Sequence, residues 1–155
     1  ASINFGSRVM LMNMTIGFAV MTTCLMLQTA LLIAAFRYYV HHTDLLDSPS
    51  VLTSLYVINA VMAVLVAGNL GQIAVWGLLF VWLGEFHSFS EAFYHSAVNF
   101  ATLGYGDIVM SPAHRLLGPL EAINGVLMFG VSTATLMAAL QDATKRMINQ
   151  RRSRK

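Results

Sequence analysis

Three long runs of this chain hold no Asp, Glu, Lys or Arg: residues 9–36, 48–84 and 122–141, which are 28, 37 and 20 residues long. A helix rises 1.5 Å per residue, and a bilayer core is about 30 Å thick. Each run is therefore long enough to cross a membrane. The middle run has two readings. Ser48-Pro49 has the form of an N-cap followed by a proline in the first turn. One helix from there to Gly84 would be about 54 Å long, bent at Gly68 or Gly71. A split at residues 68–71 would give helices of about 19 and 13 residues, the second short for a span. One long helix is expected, because an uncharged four-residue turn makes a poor interfacial loop.

The pattern changes between Glu85 and Glu121. Residues 86–91 form a polar, aromatic turn, and Ser88 with Glu91 three positions later has a capping-box spacing. A helix over 89–101 follows. It reaches only about 18 Å, so it cannot span. A glycine-rich segment, 102–107, comes next, then Ser111-Pro112, then a last helix over 116–142 with Pro119 in its first turn. A half-spanning helix with an extended return is a re-entrant loop. Such backbone is stable at membrane depth only when buried in protein or lining water.

Composition narrows the class. Hydrophobic residues make up 57% of the 155 and charged residues only 10%, against about 25% in a soluble domain. So few charges cannot cover a solvated surface, which excludes an ordinary soluble domain, a disordered chain and a nucleic-acid binder. No Ser-His-Asp or paired-carboxylate pattern points to an enzyme, and no cofactor is expected. Six of the nine basic residues, Lys145, Arg146, Arg151, Arg152, Arg154 and Lys155, crowd the last eleven positions. The positive-inside rule puts that basic tail, 143–155, in the cytoplasm, where it meets anionic lipid headgroups. No basic segment with a small-residue cleavage site opens the chain, so no secretory signal peptide is expected. Cys24, the single cysteine, reads as a buried inert thiol. His41-His42 read as solvated interfacial side chains. No helix carries periodic Arg or Lys, so no voltage sensor is expected. Gln28, Asn59, Asn69 and Gln72 are amides in apolar surroundings, suited to holding helices together.

Thr102-Leu103-Gly104-Tyr105-Gly106-Asp107, following a half-spanning helix and preceding an apolar one, resembles the selectivity filter of the tetrameric potassium channels. Two positions depart from the usual pattern: Leu103 stands where Val or Ile is common, and Ala101 where many members carry Thr. The resemblance covers residues 78–140. Its chemistry is intelligible on its own. A potassium ion sheds water only where other oxygens replace it, and backbone carbonyls serve. A strand alternates its carbonyls, whereas Gly104 and Gly106 admit positive φ and let successive carbonyls face one axis.

The resemblance implies an all-α membrane protein: three transmembrane helices, a re-entrant pore helix and filter, and a fourfold-symmetric homotetramer. Residues 1–50 would hold the first helix and a cytoplasmic linker, and 51–142 the pore domain. It implies K+ coordination by the carbonyls of Thr102, Leu103, Gly104 and Tyr105, within a filter that includes Gly106. Asp107 would sit at the outer mouth, with Tyr94 and His95 as supports and Tyr105 packed against Tyr94. The acidic partner that some members place on the pore helix is Val98 here, so His95 or Arg115 is left to pair with Asp107. Gly125 and Gly130 in the last helix have two readings, gating hinge or close packing. Ser132, Thr133 and Thr135 are candidates for the cavity wall, or for bonds back to their own helix.

The function expected is passive, K+-selective conduction by an integral protein of the plasma (inner) membrane. Its partners would be three further copies and lipid. The C-terminus would be cytoplasmic and the N-terminus external. The rivals are a cation-uptake subunit with a similar filter and a non-conducting membrane interaction protein.

Overall fold

The computed structural model describes residues 2–41 and 51–153. These residues form four helices and no strand: α1 (Ser2–His41), α2 (Val51–Trp82), α3 (Phe89–Phe100) and α4 (Leu117–Ser153). The Ser48-Pro49 start expected for α2, together with His42, Arg154 and Lys155, lies outside the described residues.

α1, α2 and α4 contain stretches long and apolar enough to cross a membrane: Gly6–Tyr38, Ile58–Trp82 and Leu117–Lys145. The chain is a membrane protein of three long apolar helices and one short helix. α2 is continuous through Gly68 and Gly71, so the split reading of that run is not adopted. Gly68 serves contact rather than termination: a Cβ there would stand 2.7 Å from Leu31 Cδ1 on α1. α4 continues through the basic tail to Ser153. No Gly or Pro interrupts 143–153, and Ala, Lys, Arg, Met and Gln all favour helix there.

α1 lies along α2 and α4, and α3 is wedged between α2 and α4. Lipid tails are as apolar as leucine, so burial from water cannot drive spans together; close packing and buried hydrogen bonds do. Both are present. Gln72 Nε2 donates to Gln28 Oε1 at 2.8 Å, and Gln28 Nε2 donates to Ser132 Oγ at 3.3 Å, which ties the three long helices at one level. Asn59, expected to bond between helices, instead donates to Leu55 O of its own helix. Trp76, Phe80, Phe100 and Met128 are fully buried at the α2–α3–α4 junction. Gly125 makes the closest approach. A Cβ built on it would lie 2.0 Å from the Phe100 carbonyl oxygen, so α4 can meet the end of α3 only with glycine there.

Two contacts fix the loop between α3 and α4. Glu85 accepts hydrogen bonds from Ser111 N, Ser111 Oγ and His114 Nδ1, each at 2.6 Å. Asn13 of α1 donates to Ala113 O at 2.6 Å.

Candidate functional site

α3 begins as its sequence dictates. Ser88 is the N-cap, in extended conformation, and its hydroxyl accepts from Glu91 N at 3.2 Å. The helix is 12 residues long, about 18 Å. It closes with Ala101 N donating to Ala97 O, Thr102 N to Asn99 O, and Leu103 N to Val98 O. These bonds deliver the chain into the 102–107 segment.

The backbone of that segment alternates. Thr102, Gly104 and Gly106 have φ of 58°, 60° and 72°, and the residues between them are not in the positive range. A change in the sign of φ at alternate residues is backbone that can turn neighbouring carbonyls toward one side. Gly104 and Gly106 adopt this conformation freely. Thr102 does not: a non-glycine residue there costs roughly 1–2 kcal/mol. From the sequence, positive φ is expected only at the glycines. Strain held at one residue in a functional loop requires support from its surroundings.

At Thr102 the support is the bond from its N–H to Asn99 O; the far end of the segment is held by polar side chains of α3. The Tyr94 hydroxyl donates to Asp107 Oδ2 at 2.7 Å. That bond, first among the influences on Asp107, holds its carboxyl below the usual range; the same bond raises the Tyr94 hydroxyl. The partner of Asp107 is thus Tyr94, rather than His95 or Arg115. Arg115 is exposed and makes no ion pair among the described residues. His95, the residue of α3 next to Tyr94, is buried, and its Nδ1 lies 3.0 Å from Ile108 O. Burial lowers the His95 pKa, against the pull of the Ile108 carbonyl and Asp107. At Glu85 burial pushes the carboxyl up, but the bonds from Ser111 and His114 together outweigh it and leave it below the ordinary value.

Tyr105 does not pack on Tyr94 as expected. No ring contact joins them among the described residues, and Tyr105 is 66% exposed, with Leu103 at 55% and Val109 at 72%. Within one chain no wall stands behind this side of the segment.

α4 divides the remaining candidates. Ser132 accepts from Gln28, and the Thr135 hydroxyl donates to Val131 O. Ser132 thus turns toward the other long helices, and Thr135 bonds back to its own helix. Thr133 and Gly130 lie on the exposed face of α4, and a Cβ at Gly130 would meet nothing within 4 Å. Gly125 is the packing glycine described above.

One residue escaped the sequence reading. Glu121 marked only the edge of an uncharged run, yet its side chain is fully buried against α3. Ser96 Oγ hydrogen-bonds to Glu121 Oε1 and lies 2.8 Å from Ile73 O. Asn99 Nδ2 lies 3.3 Å from Glu121 Oε2 and 2.9 Å from His95 Nε2. The signal was available, since an acidic side chain within a span is expected to be functional by default.

Among the described residues no group of His, Cys, Asp and Glu is placed to hold a metal ion. The oxygens within 102–105 are the four backbone carbonyls and the hydroxyls of Thr102 and Tyr105. A family model described as an ion channel matches residues 70–142, from the middle of α2 through α3 and the glycine segment into α4. No curated protein and no solved structure matches the chain.

Proposed function

From the match of residues 70–142 to a family model described as an ion channel we propose that the chain is one subunit of a homotetrameric, K+-selective channel. The reading rests on one observation above others, the alternating φ at Thr102, Gly104 and Gly106. It gives an uncharged segment in which neighbouring carbonyls can turn toward one side. The carbonyls of Thr102, Leu103, Gly104 and Tyr105, with the Thr102 hydroxyl, take the place of the water that a K+ ion leaves behind. Gly106 completes the turn, and Asp107 borders the external mouth.

Assembly with further copies follows from what one chain lacks, and the resemblance to the tetrameric potassium channels sets their number at four. Extended backbone at membrane depth needs protein or water on every side. One copy leaves Leu103, Tyr105 and Val109 open. Closed cyclic assembly covers such a surface without leaving an edge, and it brings the carbonyl rows together as a ring. The C-terminal end of α3 carries about half a negative charge, which favours a cation that is losing its water below the ring. The exposed face of α4, with Gly130 and Thr133, lines the inner cavity. The basic end of α4 is cytoplasmic and the N-terminus external. Conduction is passive and uses no cofactor.

The test is the reversal potential of purified protein in liposomes under opposed K+ and Na+ gradients. The expected value lies near the K+ equilibrium potential and is abolished by Gly104→Asp, which puts a side chain where φ is positive. Absence of K+ flux at any voltage, pH or calcium level overturns the reading in favour of an interaction protein. Saturating, voltage-independent flux would indicate an uptake subunit.

A further inference from the structure

The chain of side chains behind the glycine segment has a fixed direction. The Ser96 hydroxyl has one proton and two oxygens against it, Ile73 O at 2.8 Å and Glu121 Oε1. It gives that proton to the Ile73 carbonyl and takes one from a neutral Glu121. Oε2 is left as an acceptor, so Asn99 must offer it the amide nitrogen, 3.3 Å away. The same nitrogen lies 2.9 Å from His95 Nε2 and donates there as well, so Nε2 carries a lone pair. The His95 proton is then on Nδ1, from which it donates to Ile108 O at 3.0 Å. Ile108 is the first residue beyond Asp107. Ser96, buried beside Asn99, thus ties Glu121 Oε1 to the Ile73 carbonyl of α2.

We propose that Glu121 is a positioning residue for the selectivity filter: through Asn99 it selects the Nδ1–H tautomer of His95, and so holds the Ile108 carbonyl at the filter's exit. Without an acceptor at position 121 the Asn99 amide is free to turn over. Its oxygen then faces Nε2, the proton moves to Nε2, and the Nδ1 lone pair is left against the Ile108 carbonyl. Two acceptors in contact repel, and the exit strand is released. The acceptor matters here rather than the charge. A glutamine at 121 can turn its oxygen to Asn99 and donate its nitrogen to the Ser96 hydroxyl, whose own proton then serves Ile73 O.

The selectivity part of this inference rests on the K+-channel reading; the tautomer part does not. Wild type, Glu121→Leu and Glu121→Gln are compared in lipid by two measurements. Nitrogen NMR of labelled His95 is expected to report Nδ1–H in wild type and Glu121→Gln, and Nε2–H in Glu121→Leu. The K+/Na+ permeability ratio is expected to fall about tenfold in Glu121→Leu, the weight of one lost hydrogen bond, and to be retained in Glu121→Gln. An Nδ1–H signal in Glu121→Leu, or Nε2–H in wild type, overturns the proposal whatever the flux. Equal loss of selectivity in Leu and Gln variants also overturns it, because then charge or shape is what counts. If wild type shows no K+-selective flux, the channel reading fails and the NMR comparison alone decides the tautomer claim. Should Glu121→Leu not fold, Glu121→Met takes its place, and failure of both to fold counts against the proposal as evidence of a packing role.

Discussion

The Tyr94 hydroxyl donates to the Asp107 carboxylate at 2.7 Å, joining the middle of the short helix to the end of the glycine segment. The acidic pore-helix partner found in some tetrameric potassium channels is replaced here by a phenol four positions earlier than Val98. A phenol keeps its proton over the whole physiological range, so this contact is a fixed donor rather than a shared proton.

Tyr94→Phe removes that donor. The Asp107 carboxyl, held below its ordinary 3.8 by the bond, is expected to titrate higher in the variant. A carboxyl depressed by folding adds stability above its unfolded pKa and loses that stability as pH falls through the folded value. Acid should therefore loosen the 105–108 region of wild type, and the variant should lack this step. Infrared titration of the carboxylate band in the two proteins reads the shift. An unchanged Asp107 titration would show that the phenol is a bystander.

Gly125→Ala tests the closest backbone approach. Its Cβ would have to occupy space 2.0 Å from the Phe100 oxygen. Overpacking of this kind costs about 1–3 kcal/mol, and it would push the end of α3 away from α4. Gly130→Ala meets nothing within 4 Å in the subunit and should leave stability within about 0.5 kcal/mol. Thermal unfolding in detergent separates the two. Equal stability for both variants would mean that the α3–α4 contact relaxes without cost.

Glu85→Gln weakens a three-donor clasp. Ser111 N, Ser111 Oγ and His114 Nδ1 all converge on the two oxygens of the carboxylate, and an amide, with one oxygen and a donor NH2 in place of the other, cannot accept all three. A loss of about 1–3 kcal/mol is expected, with faster hydrogen exchange over 109–116. In wild type the clasp is at full strength above the ordinary Glu value of 4.5 and weakens as pH falls through the lower folded value. Exchange that is indifferent to both pH and the variant would refute the clasp.

Much of the architecture was legible because the bilayer simplifies the code. Three uncharged runs fixed where helices can lie, and the Ser88 cap fixed where α3 starts. Gly104 and Gly106 announced an unusual backbone because no other residue adopts positive φ so cheaply. Thr102 was hidden for the same reason in reverse: the threonine side chain does not favour φ of 58°, and nothing in the residue type announces it. Ser132 and Thr135 look alike on a helical wheel, and only the position of Gln28 on another helix decides what Ser132 meets.

By itself, then, the sequence determined what depends on local energy: span length, the half-helix, its cap, and the glycine-rich turn that can carry aligned carbonyls. The tertiary structure alone decided the pairings, Tyr94 with Asp107, Gly125 with Phe100, and Glu121 with Ser96 and Asn99. A charge in the sequence reads as a boundary, because an isolated carboxylate does not belong in hydrocarbon. Glu121 stands inside a span since folding brings to it the hydrogen-bonding groups of α3, which replace the water it gives up. Those groups lie more than 20 positions away in the chain, beyond what any local pattern records.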